Sequence, residues 1–138
     1  MDKVLFLDFD GVLHPTHFAG ENPFHCVDLL EGALADQSLG IVISSSWRFT
    51  HPLEKIRKLL PSSISKLVIG TTGRPVIGKH SRFQEIQAYL LSHGQANWRA
   101  LDDSYWEFPR PCAELIRCNP NTGISNKQVD ILTAWLAQ

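Results

Sequence analysis

Cysteine, charge of one sign and long apolar runs are all scarce in this sequence, and each scarcity removes a class of function. Cys26, Cys112 and Cys118 are an odd number, and their spacing contains no C-x-x-C pair of the kind that metal and redox sites use. Reduced thiols in a cytoplasmic protein are the expectation. His14, His17 and His25 do not read as a zinc cluster either, because their spacing fits no standard site and no Cys pair completes it. Lys and Arg number 13 against 14 Asp and Glu, a net charge of −1. That balance supplies no broad positive field for a polyanion, so strong unspecific nucleic-acid binding is not expected. No apolar run approaches the length of a membrane span. The stretch from Met1 to Leu7 is too short for a signal-peptide core and is broken at once by Asp8 and Asp10, which predicts neither a membrane partner nor export. Linkers, internal repeats and low-complexity tracts are lacking as well.

What remains is an ordinary globular composition, 43% hydrophobic and 20% charged, in 138 residues, which predicts one domain over residues 1–138. Apolar runs of strand length alternate with segments whose apolar residues recur every three or four positions, the α/β pattern. Val4 to Phe9, Ile41 to Ile43 and Leu67 to Ile69 are nearly unbroken apolar runs, as expected of parallel strands covered on both faces. Further strands are expected through Trp98, Ala100 and Leu101 into Asp102, and through Leu115 and Ile116. Val27, Leu30 and Leu34 form one helical stripe; Leu53, Ile56, Leu59 and Leu60 form another that begins near Pro52. A third helix is expected to open with a capping box over Ser81, Arg82, Phe83 and Gln84 and to stop at Gly94. Ser125 to Gln128 repeats the capping-box form ahead of Val129, Leu132 and Leu136 in a closing helix.

In open α/β sheets, ligands bind beyond the carboxyl ends of the strands, and four polar clusters fall there. Asp8-Phe9-Asp10-Gly11 ends the first strand, Ser44-Ser45-Ser46-Trp47-Arg48 the second, and Asp102-Asp103-Ser104 the fourth; Lys79 and Arg82 flank the start of the third helix. Each cluster alone has a bland role: Asp-Gly is a common turn, a serine at a strand end satisfies backbone groups, and lone Lys and Arg side chains are solvated. Together they raise a charge problem. If the first and fourth strands are neighbours, four carboxylates share one crevice, and each like pair about 4 Å apart costs on the order of 4 kcal/mol at an effective dielectric of 20. A bound cation resolves it, and hard oxygen donors without His or Cys favour Mg²⁺, which takes further ligands from water and a substrate phosphate.

Val4-Leu5-Phe6-Leu7-Asp8-Phe9-Asp10-Gly11-Val12-Leu13 resembles the first signature of the haloacid dehalogenase (HAD) superfamily, a hydrophobic strand followed by D-x-D-G. Ile41-Val42-Ile43-Ser44 is similar to the second motif and Leu101-Asp102-Asp103 to the acidic fourth. At finer grain, Ser45-Ser46-Trp47-Arg48, Gly70-Thr71-Thr72, Arg82 with Glu85-Ile86, and Gly123-Ile124-Ser125 resemble the small HAD domains of multidomain "Swiss army knife" RNA-repair proteins, over nearly the whole chain. The resemblance implies a doubly wound, three-layer α/β/α Rossmann-like domain with a parallel sheet in the order 5-4-1-2-3. It allows Arg82 or Lys79 as the third-motif cation, and Arg82, at a helix start that fixes its backbone, is the expected one.

The same resemblance implies a phosphatase. Asp8 would be the nucleophile and form an aspartyl-phosphate, Asp10 the general acid and then base, and Ser44 with Arg82 or Lys79 the phosphoryl cradle. Mg²⁺ would be held by Asp8, the backbone carbonyl of Asp10 and the Asp102/Asp103 pair. The intervals from Asp10 to Ile41 and from Ser46 to Lys79 leave no room for a cap domain, the second holding one helix and one strand. An open site suits a phosphorylated nucleic-acid end, a phosphoprotein, or a small phosphorylated molecule enclosed by an oligomer partner. Ser45, His14, His17, Phe18, Trp47, Arg48 and Trp106 are candidates for the rim that reads the substrate, with Trp47 equally a core anchor. Two other classes compete. A receiver domain would need an adjacent acidic pair after the first strand and its phosphoacceptor after the third, and the sequence has neither. A non-catalytic phosphate- or Mg²⁺-binding scaffold is the alternative, separable by phosphate release from an aryl phosphate.

Overall fold

A computed structural model describes residues 3–16, 24 and 26–138. His17, Phe18 and His25, named above as zinc or rim candidates, lie outside the described residues. Five strands, β1 (Lys3–Leu7), β2 (Gly40–Ile43), β3 (Val68–Thr71), β4 (Asn97–Asp102) and β5 (Leu115–Arg117), form one sheet in the order β3-β2-β1-β4-β5. All four pairings are parallel, with Leu7 opposite Ile43 on one side and Leu101 on the other. Read from the far edge, this is the order 5-4-1-2-3. The chain winds outward from β1 through β2 to β3, then returns to lay β4 on the other side of β1. The loops after β1 and β4 therefore diverge in opposite directions and leave a crevice at the carboxyl ends of the two strands.

Among the described residues, five helices cover the sheet: α1 (Val27–Leu34), α2 (Leu53–Leu59), α3 (Ser62–Ser65), α4 (Ser81–His93) and α5 (Asn126–Leu136). Strand alternation sorts the core into two layers. Leu5, Leu7, Ile41, Ile43, Leu101 and Ile116 face Leu30, Leu34, Ile56, Leu132 and Trp135 of α1, α2 and α5. Val4, Phe6, Val42 and Ala100 face Ile86 and Leu90 of α4, with Phe108. Phe6, fully buried, meets the edges of Tyr89 and Trp98 at 5.6 and 5.8 Å; burying such a side chain is worth roughly 1.5–3 kcal/mol. No helix among the described residues is long and apolar enough to cross a membrane.

Two local expectations need correction. The segment from Ser46 to Lys79 holds more than one helix and one strand, since a 3-10 turn at Ser46–Phe49 and the single turn α3 precede β3. The capping box over Ser81 to Gln84 does not form. His80, in the left-handed region at φ 54°, takes the N-cap position of α4, the Ser81 hydroxyl donates to Glu107, and the Gln84 amide reaches the Lys79 carbonyl. Ser81 is drawn away because a carboxylate from another segment competes better than its own helix terminus. The corresponding box in α5 is present, with the Ser125 N–H donating to Gln128 at 2.9 Å. Gly123, at φ +74°, lets the loop before α5 lie against the loop after β1: a Cβ there would sit 2.8 Å from the Val12 carbonyl, which accepts the Ile124 N–H at 2.7 Å.

Candidate active site

The crevice is built from the ends of β1, β2 and β4. Asp8 follows β1, and its N–H donates to the Leu101 carbonyl at 3.1 Å, so the β4 neighbour fixes its backbone. The chain then turns tightly, with Val12 and Leu13 both donating to the Phe9 carbonyl at 3.0 and 2.9 Å, while the Phe9 ring is fully buried beneath. Asp102 and Asp103 follow β4; the Ser104 N–H donates to Asp102 Oδ1 at 2.9 Å and orients that carboxylate. Asp8, Asp102 and Asp103 are buried and can each bring one oxygen to within 4.8 Å of the others. Gly11 makes this approach possible. It sits at φ +78°, and a Cβ on it would fall 2.4 Å from Asp103 Oδ2, so both backbone conformation and space demand glycine.

A single guanidinium serves this carboxylate group. Arg82 Nη1 lies 2.9 Å from Asp102 Oδ2 and 3.4 Å from Asp8 Oδ1, donates also to the Ser44 carbonyl, and Nη2 is 4.0 Å from Glu107. Burial alone would lower the Arg82 pKa, but Asp102, Asp8 and Glu107 outweigh it and hold the group above its ordinary value, permanently charged. Burial, and next the Asp102 charge, push Asp8 well above the usual carboxylate range in spite of Arg82. Asp102 is raised first by burial, with Arg82 and the Ser104 N–H opposing. When all three aspartates ionise, the one guanidinium, which Glu107 also shares, leaves at least two negative charges over, an excess that a divalent cation offsets. The donor set is three hard oxygens with no His or Cys, and it fits Mg²⁺. The Ser44 hydroxyl, 1% exposed, has no hydrogen-bond partner among the described residues, as expected of a group reserved for a ligand oxygen.

Asp10 stands apart. Its side chain is 44% exposed, and its two oxygens are gripped by different elements: Trp47 Nε1 donates to Oδ2 at 3.2 Å, and His14 Nε2 lies 3.2 Å from Oδ1. His14 Nδ1 sits 2.7 Å from the Pro15 carbonyl, which can only accept, so Nδ1 carries a proton and Nε2 faces Asp10. Trp47 is both rim and anchor. Its ring packs on the core, edge-on to Phe9 at 5.6 Å and stacked on His51 at 4.9 Å, while its N–H serves Asp10.

Several predicted site residues fall elsewhere. His14 is fully buried beneath Asp10 instead of lining a rim. Ser45, also fully buried, caps the 3-10 turn by accepting the Trp47 N–H at 3.2 Å, which is the backbone-satisfying role a strand-end serine takes. Arg48 turns inward: it pairs with Glu85 at 2.9 Å and donates to the Gly73 and Ser45 carbonyls at 3.1 and 3.0 Å. Burial lowers its pKa and Glu85 opposes that. Lys79 is exposed and lies on a separate groove with Tyr105 and Trp106. Glu107 belongs to no motif and is identified by its contacts with Arg82 and Ser81. Glu85 stood in the resemblance with Ile86 and Arg82, and the structure gives it Arg48 as its partner.

A doubly wound parallel sheet with acidic loops converging where the strand order reverses is the architecture of the HAD hydrolases. The profile of the family described as "HAD domain in Swiss Army Knife RNA repair proteins" matches residues 4–129, and the chain belongs to that family. No curated protein and no solved structure shows a significant match to the chain.

Proposed function

We propose that this chain is a Mg²⁺-dependent phosphomonoesterase in which Asp8 is transiently phosphorylated, working in the cytoplasm. The observation that carries this reading is the uncompensated buried carboxylate group of Asp8, Asp102 and Asp103 beside one guanidinium and an unpartnered serine hydroxyl. The Asp8, Asp102 and Asp103 carboxylates and the Asp10 backbone carbonyl would hold Mg²⁺. The ion supplies the charge neutralisation that lets a carboxylate approach an anionic phosphate.

An Asp8 oxygen attacks phosphorus, and the bond to the leaving oxygen breaks as the Asp10 carboxyl gives that oxygen its proton. Asp10, now a carboxylate, takes a proton from the water that attacks the aspartyl-phosphate, releasing inorganic phosphate and restoring Asp8. Arg82 and Ser44 hold the equatorial oxygens where charge develops. Trp47 and His14 hold the Asp10 side chain at its half-exposed position, where its carboxyl can meet the leaving group. Lys79 has no part in this cradle; its exposed position supports a role farther along the substrate. The substrate class that fits is a phosphorylated nucleic-acid end, in keeping with the RNA-repair proteins that carry this family of domain, with other phosphomonoesters next.

The test is phosphate release from an aryl phosphate. Chelation with EDTA should abolish it, Mg²⁺ should restore it, and Asp8→Asn should lower kcat at least about a thousandfold while leaving the circular dichroism spectrum intact. Full turnover by chelated protein, or by folded Asp8→Asn, would sink the mechanism.

A further inference from the structure

An open groove of about 610 Å³, lined by none of the carboxylate group's residues, takes no part in the chemistry above. Lys79 and His80, ahead of α4, form one wall; Tyr105, Trp106 and Arg110 form another. The chain itself joins the groove to the site. Ser104, whose N–H orients Asp102, leads directly into the 3-10 turn Tyr105–Glu107. Glu107, the acid of that turn, points inward to Arg82 and Ser81, so the turn offers the groove aromatic rings while Lys79 and Arg110 supply cations. Trp106 is 62% exposed and stands at 83° to Tyr105, 5.4 Å away. Tyr105 is itself braced by two guanidiniums, Arg110 at 4.9 Å and Arg117 at 3.7 Å from the ring centre. A large indole left in water contributes little to the fold. A flat exposed ring among cations is what a single-stranded nucleic acid needs, since a base stacks on the ring and phosphates pair with the cations.

We infer that this groove holds the single strand of a nucleic acid whose terminal phosphate enters the Asp8 site, with Trp106 stacking on a base near the end and Lys79 and Arg110 meeting backbone phosphates. The inference deepens the phosphomonoesterase reading and rests on it for the identity of the terminal group. It is compatible with a net charge of −1, because the cations are few and local. Two phosphate contacts give a shallow salt dependence, a slope of about −1.4 in log affinity against log salt.

The probe is a single-stranded RNA of about ten nucleotides, phosphorylated at the 3′ or the 5′ end and fluorescently labelled at the other. Its affinity for Asp8→Asn protein in Mg²⁺ is read by anisotropy. Adding Trp106→Ala and Arg110→Gln, both at exposed positions, should weaken binding of the preferred end at least about tenfold and flatten the salt slope by about 0.7. With Asp8 intact, the same two substitutions should leave aryl phosphate turnover within about twofold. Unchanged RNA affinity in the folded double substitution, no RNA binding by the Asp8→Asn parent, or equal dependence of a phosphopeptide on the same two residues would overturn the groove assignment. RNA binding that depends on them, together with no turnover of any monoester, would instead overturn the enzyme reading and leave the groove standing.

Discussion

Two half-buried arginines, Arg48 and Arg82, meet carboxylates in different ways, and they illustrate the difference between a structural and a functional ion pair. Arg48 faces one carboxylate, Glu85. The pair is nearly solvent-free, and it is further tied down by the Gly73 and Ser45 carbonyls on Arg48 and the Val76 N–H on Glu85. Its charges balance within the fold. Arg82 faces Asp8, Asp102 and Glu107 at once, with Asp103 close by, and the charges do not balance. A fold has no use for such an excess, because it raises the cost of ionising Asp8 and Asp102 without adding packing. An unbalanced buried cluster is therefore the better marker of function, and a closed pair the better marker of architecture.

Exchanging each arginine for Met should pull the two regions apart most strongly. Arg82→Met should lower kcat for an aryl phosphate on the order of 100- to 1000-fold, as loss of a transition-state donor does. Arg48→Met should instead cost about 3 kcal/mol of stability by stranding Glu85, with kcat per folded molecule unchanged. Denaturant melts and steady-state kinetics on both proteins check this, and the comparison breaks if the two losses fall the other way round. Lys79→Met should leave turnover of the small substrate nearly intact.

Metal and pH should act on the Arg82 region alone. Asp8 and Asp102 have folded pKa values raised above the unfolded value of about 3.9, so the folded state binds more protons. The contribution of these two groups to the stability of the metal-free protein is fully present below that pH and is lost as pH rises through the folded values, where the carboxylates must ionise. Mg²⁺ binds the ionised form, so its stabilisation should grow over the same window, reaching about 2.7 kcal/mol at a hundredfold excess over Kd. Thermal melts with and without Mg²⁺ between pH 5 and about 7.5 should diverge upward, by several degrees. Coincident melts across that range would mean that the trio is not a cation site.

The smallest effect sharpens the picture at Asp10. Trp47→Phe keeps a ring on Phe9 but removes the N–H that holds Oδ2, an interaction worth about 1 kcal/mol. kcat should fall about fivefold, with KM and the melting temperature little changed. A rise in KM alone would assign Trp47 to substrate binding instead.

Local pattern was enough to read the elements, since burial on two faces or one leaves its period in the chain itself. The five strands and the helices after β1, β2, β3 and β5 lie where apolar runs and stripes put them, and Asp8, Asp10, Asp102 and Asp103 stood out as acids at strand ends. Capping at Ser81 misled because a hydroxyl chooses the strongest acceptor in space, and Glu107 is 26 residues away. The same limit applied to Arg48, whose partner Glu85 is 37 residues distant, and to the rim roles given to Ser45 and His14.

By itself, then, the sequence determined the alternation of strands and helices, the acidic pairs at the strand ends and the family, because each is written in neighbouring residues. Tertiary structure alone decided which charges meet. It set β4 beside β1, brought Arg82 and not Lys79 to the carboxylates, turned Arg48 inward and hung Asp10 between Trp47 and His14. The reason is physical: periodicity follows from a residue's own backbone and burial, whereas electrostatic partnership depends on distances that exist only after the strands have chosen their neighbours.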